Sequence, residues 1–136
     1  MNYLGEHTFW SELGHFFVAL SFSGALLAAF FYGFQAFRSP AERAERPVLP
    51  LRNAGRWSFA LHALGVLGTI AVLFAALFNH WFEFDYVWRH SSLDMPMEYI
   101  ASCFWEGQEG SFLLWMTWHA ILGLVLIKTA KTWEYG

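Results

Sequence analysis

The sequence predicts an all-α integral membrane protein. It has three transmembrane helices, the N-terminus outside and the C-terminus inside, and a short interfacial helix in an outer loop. Composition is the first reason: of 136 residues, 57% are apolar and only 14% charged, whereas a soluble domain carries about 25% charged residues. The second is three long stretches without charge, and the third is a lopsided distribution of the basic residues. The same numbers exclude other classes. A net charge of −3 leaves no general drive toward nucleic acid, and a single cysteine, Cys103, rules out an internal disulfide framework.

The charge-free stretches are 13–37, 57–82 and 110–127. About 20 apolar residues cross a hydrocarbon core, so the first two span with some tilt. The third reaches about residue 130 if the stems of Lys128 and Lys131 snorkel. The expected spans are therefore 13–37, 57–82 and 110–130, with residues 1–136 forming one transmembrane unit. No positive n-region precedes the first span, and its apolar run is too long for a signal peptide.

Orientation follows from the bases. Arg38, Arg43, Arg46, Arg52, Arg56, Lys128 and Lys131 fall on one side, and only Arg89 on the other. The opposite side, 1–12 plus 83–109, holds Glu6, Glu12, Glu83, Asp85, Asp94, Glu98, Glu106 and Glu109. The positive-inside rule then puts the basic side in the cytoplasm. Trp10, Trp57, Trp81 and Trp133 sit near span ends, as an aromatic belt requires. Ser21, Ala25, Ala29 and Gly33 place a small residue at every fourth position of the first span, a stripe along which another helix can approach. Segment 38–56, with Pro40, Pro47 and Pro50 among its arginines, reads as an irregular linker. Its arginines suit anionic lipid, though setting topology is their plainer role.

The loop 83–109 is rich in aromatics and acids. Asp94 as a cap and Pro96 at an early helical position predict a short helix over about 95–105, with Ile100, Phe104 and Trp105 on one face toward the membrane surface. Gly107 and Gly110 should break it, and Ser111 should cap the third span. Trp105 through Trp115 thus form a glycine-hinged turn, with indoles at both ends and Glu106 and Glu109 between. Glycines admit close approach of a ligand or backbone, and indoles can stack on a planar apolar molecule. An interfacial girdle with a helix cap also accounts for it.

Tyr86-Val87, Ser91, Pro96, Tyr99, Trp105, Gly107, Glu109-Gly110-Ser111 and Leu113-Leu114-Trp115 resemble the pattern Y-V-x3-S-x4-P-x2-Y-x5-W-x-G-[HQ]-E-G-S-x-L-L-W. That pattern marks the cytochrome c-type biogenesis haem lyase family, the CcmF-type proteins. Glu12-Leu13-Gly14-His15 at the start of the first span is also similar to the family's start. The sequence departs from the family at Glu106, where many members carry a small residue. The resemblance implies the N-terminal part of a larger haem-lyase fold. Such a fold would lie in the inner (plasma) membrane, with the outer loop periplasmic, and would attach haem to apocytochrome c. The implied partners are apocytochrome c, haem-delivery and thiol-reducing maturation proteins, and the rest of the lyase. Trp105, Gly107, Glu109, Gly110, Ser111 and Trp115 become the candidate haem-handling residues. The family's tryptophan-rich W-G-x-W-W-x-W-D signature and His-Pro-Pro segment do not occur here, so thioether formation by this chain alone is not expected.

A different function class remains open: a small haem b-binding or purely structural membrane anchor of a respiratory complex. Haem iron is most often held by histidine. His15 and His80 lie two residues inside the outer ends of their expected spans, about 3 Å deep, so they form the candidate ligand pair. His119, about 14 Å from the outer boundary, and His62, about 8 Å from the inner one, are not expected to share a level. Cys103 reads as a buried apolar residue, and no metal-thiolate cluster is expected.

Overall fold

The computed structural model describes residues 6–39 and 49–130, all helix and connecting turn. Helix α1 is Thr8–Ala36, α2 Leu49–Phe78, α3 Asp85–His90, α4 Met97–Glu106 and α5 Gln108–Thr129. Three of these, α1, α2 and α5, are long and apolar enough to cross a membrane. The protein is therefore a multi-pass membrane protein built from the three expected spans. The expectations for Pro40, Arg43, Arg46, Pro47, Lys131 and Trp133 lie outside the described residues.

Boundaries differ from the expected ones for physical reasons. Helix α2 begins at Leu49, because Pro50 is tolerated in a first turn and Arg52 and Arg56 can extend from the helix to the membrane boundary. Residues 49–56 of the supposed linker are thus helical. Helix α2 stops at Phe78 rather than running to 82. His80 takes the left-handed conformation, φ 54°, while its N–H donates to Leu77 O at 3.2 Å and Trp81 N–H to Ala76 O at 3.1 Å. That is a Schellman closure, here without glycine. The 95–105 helix appears as Met97–Glu106 with Pro96 in the cap position, and Asp94 makes no capping bond. Helix α3 had no counterpart in the sequence reading.

Helices α1 and α2 pack along their length. At Gly24 a Cβ would come within 2.6 Å of His62 N and 2.8 Å of Ser58 O, and at Gly65 within 2.5 Å of Ser21 N and 2.7 Å of Phe17 O. Backbone therefore meets backbone on both sides of the crossing, as small residues permit in lipid. The contact buries Ser21, Gly24, Ala28 and Gln35. Only Ser21 of the expected stripe is fully buried: Ala25 and Gly33 are half-buried and Ala29 is exposed. The real seam is displaced round the helix by the glycine at 24.

Inside this contact His62 Nδ1 lies 3.0 Å from both Ser21 O and Ser21 Oγ. A carbonyl only accepts, so Nδ1 donates and His62 cross-links α1 to α2 within the bilayer.

Helix α5 leans on α2 more sparsely. The Phe59 ring occupies the space a side chain at 123 would fill. From that contact His62 is three residues and His119 four residues toward the same end, so the two histidines are level, contrary to the depth expected from span limits. His119 Nδ1 donates to Trp115 O at 2.8 Å on its own helix.

The buried core sits at the loop end. It joins Ala76 and Leu77 of α2 to Val87 of α3 and to Ile100, Cys103 and Phe104 of α4. Phe104 stacks on Phe74 at 4.7 Å. Helix α4 therefore buries Ile100, Cys103 and Phe104 against α2, while Trp105 turns out of that face and stays 49% exposed.

Candidate functional site

The turn between α4 and α5 is built by Tyr86, which α3 delivers from about twenty residues upstream. Its hydroxyl donates toward Cys103 O at 3.0 Å and Phe104 O at 2.9 Å, and accepts from Gly107 N–H at 3.3 Å. One phenol thus serves the last carbonyls of one helix and the first amide of the next, groups that helix ends leave unsatisfied. Burial pushes the Tyr86 phenol above its ordinary value, and Glu109, Cys103 and Glu106 add to this. The glycines follow from the same crowding. A Cβ at Gly107 would meet the Tyr86 ring at 2.7 Å and His90 Nε2 at 2.8 Å, and one at Gly110 would overlap Phe104 O. Ser111 Oγ donates back to Trp105 O at 2.8 Å rather than capping α5. His90 stacks on Tyr86 at 4.3 Å and donates from Nδ1 to Tyr86 O at 2.9 Å.

Cys103 is 2% exposed and its thiol contacts Tyr99 O at 3.2 Å and Met95 Sδ at 3.4 Å. Burial holds that thiol in its protonated form, with its pKa raised.

Beside the turn lies an open groove. Helices α1 and α5 scarcely touch, leaving a cleft of about 730 Å³ with α2 as floor and α3 as roof at the loop end. Its apolar wall includes Val18, Val72, Leu73, Phe112 and Met116, and its rim carries His15, Asp85, Arg89, His90 and Glu109. The volume falls within the range of small-molecule and cofactor sites, roughly 300–1,000 Å³. Arg89 Nε is held by Asp85 at 2.9 Å, an exposed pair.

The residues singled out from sequence divide clearly. Glu109 and His15 face this groove; Trp105, Gly107, Gly110, Ser111, Trp115 and His80 lie outside its lining. Gly107, Gly110 and Ser111 shape the turn. Trp115 is 68% exposed on another face of α5. His80 closes α2, and its buried Nε2 has no hydrogen-bond partner among the described residues. Sequence reasoning missed the roof, Asp85, Arg89 and His90. Their i, i+4 spacing (85, 89) was the available signal.

A second cluster pins the start of α1. His7 stacks on Trp81 at 4.2 Å, and its Nδ1 and backbone N–H both reach Glu83 Oε1. Burial pushes the Glu83 carboxyl up, but hydrogen bonds from the His7 side chain and backbone outweigh it, and the net shift is downward.

Comparison with known proteins addresses the family. Over 131 residues the chain is 28% identical to cytochrome c-type biogenesis protein CcmF of Haemophilus influenzae, covering 89% of this chain and 17% of that protein. Over 122 residues it is 32% identical to cytochrome c-type biogenesis protein ccl1 of Rhodobacter capsulatus, covering 82% of this chain and 16% of that one. The resemblance to the CcmF-type proteins is borne out. The chain spans about a sixth of the length of these curated relatives. It corresponds to a CcmF-type N-terminal part. No family model matches the chain, and no solved structure matches it.

Proposed function

We propose that this chain is the N-terminal membrane part of a haem lyase system for cytochrome c maturation. In this reading it lies in the inner membrane, N-terminus out, with residues 79–107 periplasmic and the arginine end cytoplasmic. It helps present haem to apocytochrome c at that surface. The observation that carries the reading is the similarity to two cytochrome c-type biogenesis proteins over more than four-fifths of the chain.

The loop-end groove supports a role in holding substrate. Phe112, Met116, Val72 and Leu73 suit the apolar edge of a porphyrin. The rim does not suit its propionates: Glu109 repels them, and Arg89 is already paired with Asp85. In the proposal the vinyl edge faces the groove and the carboxylates point to cations elsewhere in the lyase. Thioether formation adds a cysteine S–H across a vinyl double bond, forming one S–C and one C–H bond without net oxidation. The thiol belongs to the apocytochrome, since Cys103 is buried with its own thiol turned to Tyr99 O and Met95 Sδ. This chain contributes walls and orientation, so it acts only with the remaining lyase segments.

The test is haem-stained cytochrome c in a host whose c-type cytochromes depend on this chain. Replacing Phe112 and Met116 together by Ala should lower covalent haem while membrane levels of the chain persist. Undiminished maturation would refute the role of the groove. Orientation is read separately with single cysteines at Asp94 or Asn53 in a Cys103→Ala background. An impermeant maleimide should label position 94 in intact cells with a permeabilised outer membrane, and position 53 only after lysis.

A further inference from the structure

We infer that the end of the bundle opposite the groove binds an anionic phospholipid in a slot between α2 and α5. The slot has a volume of about 390 Å³ and is lined by Asn53, Arg56, Trp57, Ala60, Leu124 and Ile127. It lies just on the arginine side of the point where Phe59 rests on Gly123. Its walls divide by chemistry. Asn53, Arg56, Trp57 and Ala60 recur at i, i+3, i+4 and i+7 on one face of α2. Leu124 and Ile127 face them from α5, and the exposed Lys128 follows directly. Ala60, Leu124 and Ile127 offer an acyl-chain surface. Asn53 and Arg56 supply hydrogen-bond donors at headgroup level, and guanidinium geometry suits phosphate oxygens. Trp57, 74% exposed, marks the boundary as interfacial indoles do.

Charge selects the headgroup. Segments 38–56 and 128–136 together carry seven Lys and Arg against Glu42, Glu45 and Glu134, a net charge of +4 in the sequence. A phosphodiester with no cation of its own matches that surplus, whereas a choline headgroup brings an ammonium that the cluster repels. The apolar floor distinguishes a lipid from a free anion. This inference does not depend on the haem reading and concerns the other end of the molecule.

The test uses the full chain in nanodiscs containing equal phosphatidylglycerol and phosphatidylcholine, with lipids retained after gentle extraction counted by native mass spectrometry. Phosphatidylglycerol should be retained preferentially. Arg56→Gln and Lys128→Gln should each cut that retention roughly fivefold. Ala60→Phe should cut it with no change in charge, and Leu124→Trp serves if Ala60→Phe loses helicity by circular dichroism. Arg38→Gln, on α1 beside Phe34, should leave it intact, and excess inorganic phosphate should not compete. Equal retention of the two lipids would overturn the site. So would an equal loss from Arg38→Gln, or displacement by phosphate combined with indifference to the slot-filling variants, which would mark a free-anion site.

Discussion

Helices α1 and α5 both pack on α2, yet they do so in opposite ways. Helix α1 meets α2 backbone to backbone at Gly24 and Gly65 and is cross-linked through Ser21 and His62. Helix α5 approaches α2 more sparsely, with the Phe59 ring over Gly123, and is fastened at its loop end by Tyr86. In their most apolar windows 17% of α1 and 11% of α5 are buried, against 39% of α2, on which both pack. The difference teaches where function can reside. A helix zipped along its length leaves no room beside it, whereas one held at its end leaves a groove on one side and a slot on the other.

Substituting glycines on the two seams gives the largest expected contrast. In Gly65→Ala the new Cβ meets the Ser21 and Phe17 backbone, which cannot move aside, and the cost should be about 3 kcal/mol. In Gly123→Ala the Phe59 ring can swing, and about 1 kcal/mol is expected. Unfolding in mixed detergent micelles measures both, and equal losses would erase the distinction between the seams.

Tyr86→Phe should have the next largest effect, about 2 kcal/mol, because it strands two buried carbonyls and one amide. Hydrogen exchange should quicken in residues 103–111 and stay slow across the α1–α2 seam. Acceleration in both would mean that α5 is not independently fastened.

The smallest effect is at the start of α1. The folded Glu83 carboxyl titrates below its ordinary value, so its contribution is present above the unfolded carboxylate pKa and is lost as pH falls through the folded one. Acidification through that range should free His7 from Trp81, seen as a change in indole fluorescence. Glu83→Gln should abolish the dependence without disturbing either seam.

Much of this contrast was legible in the sequence, and the rest was hidden for identifiable reasons. The spans could be read because lipid forbids charge over a fixed length, and the 105–115 turn because its glycines and indoles are local. The seam was misplaced because a small-residue stripe indicates where approach is possible, not which face a partner chooses. Ala29 fits the stripe and is exposed, while Gly24 falls outside it and touches backbone. The end of α2 was misjudged because a histidine occupies the left-handed position usually given to glycine. The Tyr86 clasp and the groove roof depend on contacts across seventeen or more residues, which no periodicity reports.

The central claim is that the clasped turn at the loop end serves cytochrome c maturation. Two glycine variants test it most directly, in a host whose c-type cytochromes depend on this chain. Gly110 has no space for a methyl group against Phe104 O, whereas at Gly33 nothing lies within 4 Å of an added Cβ. With both variants present in the membrane at normal levels, Gly110→Ala should abolish haem-stained cytochrome c and Gly33→Ala should preserve it. Full maturation with Gly110→Ala would contradict the account.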